Sequence, residues 1–202
     1  MTQDLRRIKR EEALRLIQDS LPLISYLNEN NISYCLVGGL AVLIHSYAAG
    51  LSVFRSTLDI DVMVDPAYSN ADFAAAYLAV YATNPSFGQA VYDAVFGSGE
   101  FELLCESDQA FINCSFIGAR KHLDGVDTPD IDLVRMLNGL ELKDLAIEAV
   151  TIDNVSINVA SIDQLIYMKS STLGYMQQNP IDTPRQKDYI DLVRLRELRG
   201  ER

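Results

Sequence analysis

The sequence predicts an α+β fold, a sheet domain with helices at both ends. Three observations carry this. Near the start, Leu5, Ile8, Leu14, Ile17, Leu21, Ile24 and Leu27 recur mostly at three- and four-residue spacings, an amphipathic helical stripe. Through the middle, short apolar or alternating runs between turn residues have the two-residue period of strands. From Ser161 onward the helical period returns. With 202 residues and 49% hydrophobic content, the chain can bury one substantial core, or one core with a small helical appendage. The organisation read from this is an N-terminal helical segment over 1–32, a core over 33–160 and a C-terminal helical segment over 161–202.

The N-terminal stripe is interrupted near Pro22, which fits either two helices or one kinked helix. After the turn-like Asn28-Glu29-Asn30-Asn31, Tyr34-Cys35-Leu36-Val37 reads as a strand ending in Gly38-Gly39, with a helix over Leu40 to Tyr47. In Leu58-Asp59-Ile60-Asp61-Val62-Met63-Val64 acidic and apolar residues alternate, so this is a strand with both Asp residues on one face. Ser69 to Ala82 has a helical pattern. Phe101–Cys105, Ala110–Phe116 and Ile131–Val134 read as strands, and Val150–Asp153 with Val155–Val159 as a hairpin about Asp153-Asn154. Ser161 caps a helix running to about Gln178. Asn179-Pro180 breaks it, and Thr183-Pro184 opens the last helix.

Charge and cysteines narrow the functional classes. A formal charge of −11 disfavours an extended nucleic-acid groove, leaving only local basic clusters such as Arg6, Arg7, Lys9 and Arg10. No apolar run approaches the roughly 20 residues of a membrane span, and the N-terminus lacks the apolar stretch of a signal peptide. A cytoplasmic protein with no membrane partner is expected. Cys35, Cys105 and Cys114 lack metal-ligand spacing and read as buried free thiols.

The chemistry is concentrated in the acidic strand. Two carboxylates at i and i+2 repel one another unless a cation lies between them, and hard oxygen donors suit Mg²⁺ shared with substrate phosphates. Alone, the pair equally fits the solvent face of an edge strand. Its company is more informative. Gly38-Gly39 at a strand-to-helix turn lets backbone approach a phosphate at a helix N-terminus. Asp132, with Asp130 on the same face as a rival, opens another strand and offers a third carboxylate for a site holding two metals.

Leu36-Val37-Gly38-Gly39-Leu40-Ala41 followed by Arg55-Ser56-Thr57-Leu58-Asp59-Ile60-Asp61 resembles the signature of the nucleotidyltransferase superfamily, whose fold is DNA polymerase beta-like. The Arg-x-Thr-x-Asp-Ile-Asp form, with Tyr167-Met168-Lys169 and then Arg185-Gln186-Lys187-Asp188 and Asp191-Leu192, is similar to the branch containing AbiEii-type toxins. The resemblance implies a small mixed β-sheet core flanked by helices. It further implies an enzyme that moves a nucleoside monophosphate from a nucleoside triphosphate (NTP) to an acceptor hydroxyl. Asp59, Asp61 and Asp132 would be the catalytic and metal-binding residues, with two Mg²⁺ ions. Gly38, Gly39, Arg55, Thr57, Lys169 and Arg185 would bind the nucleotide. The acceptor implied is RNA or tRNA, a protein or a small molecule, and the toxin branch implies a cognate antitoxin. Nineteen residues separate Gly39 from Asp59, a longer interval than in the compact members.

Other readings stand beside these. Lys169 fits a snorkelling lysine on an amphipathic helix, and Arg185, Lys187, Asp188 and Asp191 fit a salt-bridge set along the last helix. His45 reads as a packing residue, His122 as part of a polar turn and Gly97-Ser98-Gly99 as a flexible turn. The competing functions are a degenerate member that binds nucleotide or a partner without turnover, and an antibiotic-type enzyme acting on a small molecule.

Overall fold

The computed structural model describes residues 3–51, 57, 59–65, 115–119, 130–178 and 186–201. Among them are four helices: α1 (Gln3–Glu29), α2 (Gly38–Ala48), α3 (Ile162–Gln178) and α4 (Gln186–Leu198). Six strands form one sheet: β1 (Tyr34–Leu36), β2 (Asp59–Val64), β3 (Ser115–Ala119), β4 (Asp130–Met136), β5 (Ile147–Ile152) and β6 (Val155–Ala160). The architecture is the α+β arrangement expected. The helix expected over Ser69–Ala82, the strand over Phe101–Cys105 and the turns around Gly97-Ser98-Gly99 and His122 lie outside the described residues, as do Cys105 and Cys114.

The strand order is β3-β4-β2-β1-β6-β5. The sheet is mixed: β1 runs antiparallel to β2 and parallel to β6, β2 runs parallel to β4, and the β3/β4 and β5/β6 pairs are antiparallel. The short apolar run Tyr34-Cys35-Leu36 becomes a central strand because nothing in it needs water, and all three residues are at most 1% exposed. The phenol of Tyr34 is satisfied inside the fold, accepting from Asn158 N–H and lying 3.4 Å from the Ser156 carbonyl, to which it donates.

α2 is the hub. Its residues from Gly39 to Ser46 are all buried, as expected of a helix that is apolar all round. It packs on β2, β5 and β6 and against all three other helices. Its polar side chains are satisfied locally: Ser46 Oγ donates to the Val42 carbonyl, and His45 Nε2 lies 2.9 Å from the Ala160 carbonyl and donates to it. His45 is thus the packing residue the sequence suggested. α1 is one continuous helix with Pro22 inside it. Proline removes the hydrogen bond to the Gln18 carbonyl, but Pro22 and Gln18 are both exposed, so water can replace it. Burial of Ile17, Leu23, Ile24 and Leu27 on either side holds the helix to the core.

The β5/β6 hairpin turns through Asp153 and Asn154 at φ 49° and 66°, the positive-φ pair of a type I′ turn. A β-branched residue pays a steric penalty there that glycine does not. Asn154→Val is expected to lower stability by about 1–2 kcal/mol, and Asn154→Gly to leave it within roughly a few tenths. Urea unfolding of the two variants measures the difference. The hairpin is longer than its pattern indicated, since exposed residues of β5 hide the start of that strand. β3 likewise extends past Gly118, whose type is depleted in strands, to Ala119. Ser161 caps α3 as expected, its Oγ accepting from Gln164 N–H at 3.2 Å.

Candidate active site

The site is assembled where β1 ends. Val37 N–H donates to the Asp61 carbonyl at 3.0 Å, tying the turn after β1 to β2. Gly38 then adopts φ +64°, in the left-handed region, and opens α2. Its backbone lies directly against the Asp61 side chain: a Cβ built on Gly38 would sit 1.8 Å from Asp61 Oδ2 and 2.6 Å from its Cγ. No side chain caps α2 at Val37. The N-terminal amides of a buried helix therefore begin beside a carboxylate, with no Cβ between them.

The acidic positions are gathered by register. β2 and β4 pair in parallel with Asp59 opposite Asp130 and Asp61 opposite Asp132. The four positions form a rectangle on one face of the sheet, about 4.8 Å across the strands and about 6.6 Å along them. Of the four, Asp61 is the one whose side chain is described; Asp59, Asp130 and Asp132 are placed by backbone and register. Asp132 is directly paired with Asp61, which makes it the nearer companion, with Asp130 paired to Asp59. On the other side of Asp132, its partner on β3 is Gly118, a position with no side chain. Carboxylates at such spacing oppose each other's ionisation unless a cation joins them. Among the described residues no three His, Cys, Asp or Glu side chains converge on a metal position.

The other nucleotide-binding candidates are distributed differently. Thr57 is buried just before β2. Arg55 and Arg185 lie outside the described residues. Lys169 on α3 is held between two carboxylates of α4, Asp188 Oδ1 at 2.6 Å and Asp191 Oδ2 at 2.9 Å. The last-helix acids thus reach across to α3 as well. Their spacing puts both on one helix face but cannot name what the face meets.

Burial is the largest influence on Lys169 and opposes its charge, yet Asp191 and Asp188 outweigh it and raise the lysine above its ordinary 10.5. Burial also pushes the Cys35 thiol up to about 12, and the Tyr34 phenol above 10.0. In each case the folded state keeps the proton to higher pH than the unfolded chain. The associated stability is present below the unfolded values and is lost as pH rises, from 9.0 to about 12 for Cys35 and above 10.5 for Lys169. Thermal midpoints are expected to fall across that alkaline range. Iodoacetamide at about pH 8 is expected to label Cys35 only after unfolding, as read by peptide mass spectrometry.

No protein-family model and no curated protein matches the sequence. Among solved structures, the chain is similar to an antigenic nucleotidyltransferase-like protein from Paracoccidioides brasiliensis, at 14% identity and a TM-score of 0.49, over 94% of this chain and 78% of that one. It is also similar to ANT(2")-Ia in complex with adenylyl-2"-tobramycin, at 15% identity and a TM-score of 0.46, over 90% of this chain and 88% of that one. The solution structure of the antibiotic-resistance factor ANT(2'')-Ia gives 15% identity and a TM-score of 0.43, over 91% and 90% of the two chains. No helix among the described residues is long and apolar enough to cross a membrane.

Proposed function

We propose that this chain is a Mg²⁺-dependent nucleotidyltransferase that moves a nucleoside monophosphate from an NTP to an acceptor hydroxyl. The observation that carries the reading is the contact of Gly38 with the Asp61 carboxylate at the head of α2, where Asp61 is also in register with Asp132. Phosphate oxygens and a hard cation are both suited to that junction: amides at a helix N-terminus bind the first, and carboxylates bind the second.

Asp59, Asp61 and Asp132 would hold Mg²⁺, which when bound supplies charge neutralisation at the attacking and leaving oxygens. Gly38 and Gly39 would hold the triphosphate through their backbone, with Arg55, Thr57 and Arg185 adding charge and hydrogen bonds. Asp132 would accept the proton of the acceptor hydroxyl. That oxygen bonds to the α-phosphorus as the α–β bridge breaks, and pyrophosphate leaves. Resemblance to the AbiEii-type branch favours an acceptor on RNA such as tRNA, with a cognate antitoxin as partner. The net charge of −11 then requires RNA contacts confined to a local basic patch.

The test is calorimetry with each NTP in Mg²⁺, followed by incubation with α-labelled NTP and total RNA, the protein itself, or an aminoglycoside. Mg²⁺-dependent binding and label on one acceptor are expected, with RNA the favoured one. No binding of any NTP, or binding unchanged in Asp59→Ala and Asp61→Ala, would sink the enzyme reading. Binding without transfer to any acceptor identifies a nucleotide-binding protein without turnover.

A further inference from the structure

β5 stands at one end of the strand order, with β6 on its inner side. Its hydrogen bonding divides by residue parity. The two-residue turn at Asp153-Asn154 and the bond from Ser161 N–H to the Ala146 carbonyl at 2.8 Å fix the even-numbered residues as those that exchange bonds with β6. The N–H and C=O groups of Ile147, Ala149 and Thr151 therefore point away from β6, along the open edge. All three residues are exposed, and no hydrogen bond to their outward groups is made among the described residues.

An open edge is normally guarded by lysine, proline, a bulge or a very short strand. β5 has none of these: Ile147-Glu148-Ala149-Val150-Thr151-Ile152 pairs with β6 along its whole length without a register shift. Its single charge is no guard either. Glu148 Oε2 lies 4.0 Å from His45 Nδ1 of α2, so that side chain faces its own chain rather than the edge.

We propose that β5 is a self-pairing edge, at which two copies of this chain join β5 to β5 in antiparallel about a two-fold axis at Ala149, so that one sheet runs through both. The sequence of the strand selects this occupant and this register. Pairing about Ala149 sets Ile147 opposite Thr151 of the partner subunit and Ala149 opposite Ala149 of the partner subunit, and every outward N–H and C=O of β5 gains a partner. Glu148 then faces Val150 of the partner subunit, so no like charges stand directly opposite. Moving the axis to Glu148 would set two carboxylates against each other. Moving it to Val150 would draw Asp153, at φ 49° in the turn, into the ladder. The chosen register also covers Ile147, which is 43% exposed, with a β-branched neighbour.

Sedimentation equilibrium of the full chain from about 1 to 100 μM tests the pairing. The parent is expected to associate to twice the mass of one chain. Ala149→Lys and Ala149→Glu each place like charges at the axis, and each is expected to weaken association by at least about tenfold. An equimolar mixture of the two variants is expected to restore it, because the ammonium of one copy then faces the carboxylate of the other. That rescue also shows that both variants fold. A parent that stays monomeric at the top of the range overturns the proposal and leaves the edge to a strand from another protein. A dimer indifferent to both substitutions, or one that the mixture fails to restore, overturns pairing through β5.

Discussion

Gly38→Ala is expected to reduce nucleotidyl transfer by at least about 100-fold, a loss out of proportion to its effect on stability. Two penalties add at this position. The residue sits at φ +64°, where an L side chain is strained, and the new Cβ would lie 1.8 Å from Asp61 Oδ2. Together they are expected to cost about 2–4 kcal/mol. The carboxylate end could swing aside, but the Asp61 Cβ at 3.1 Å can move only with strand β2. Relief of the clash therefore comes by turning the Asp61 carboxylate out of its place, which is what transfer cannot tolerate. Gly50 supplies the control. It has φ +68° with nothing within 4 Å of a built Cβ, so Gly50→Ala carries the backbone penalty without the clash. Its expected cost is about 1–2 kcal/mol, with transfer unchanged. Urea unfolding and initial rates on both variants separate strain from displacement; equal activity in the two would show that Gly38 has no special relation to the site.

Much of this junction was legible because its signals are local. The alternation of Asp59, Ile60 and Asp61 can be read as a strand from four or five neighbouring residues, and Gly38-Gly39 announces a turn wherever it falls. The cap at Ser161 and the turn at Asp153-Asn154 are local in the same sense. Legibility fails where two distant segments meet. Asp132 follows Asp61 by 71 positions, and only the parallel β2/β4 pairing puts them side by side. The pattern favoured Asp132 but left Asp130 on the same face as a rival, whereas register gives each a different partner. Lys169 shows the same limit from the other side. Its amphipathic setting suggested a solvated or phosphate-bound ammonium, yet the two acids that surround it come from a helix separated by seven residues outside the described set. Continuity of α1 through Pro22 is also a tertiary result, because burial on both flanks of the proline overrides a weak local break.

Asp61→Asn is expected to lower transfer by about 10³-fold while leaving the fold as stable as the parent or more so. The amide keeps the shape that packs against Gly38, so the cavity term is close to zero. What changes is charge. In a rectangle of four acidic positions about 4.8 Å apart across the strands and about 6.6 Å along them, removing one negative group relieves repulsion that folding brings together. The same change removes a hard donor from the one place where the Gly38 turn meets the sheet. Thermal midpoints with and without Mg²⁺ expose both effects. The parent is expected to gain stability on adding Mg²⁺, because an ion that binds only the folded state shifts the equilibrium toward it. Asp61→Asn is expected to start at or above the parent without Mg²⁺ and to gain little from it. A variant that stays active, or that keeps the full Mg²⁺ gain, would remove Asp61 from the site. A variant that unfolds in the absence of Mg²⁺ would instead mean that the carboxylate stabilises the turn, and that β2 needs this charge for its fold as well as its chemistry.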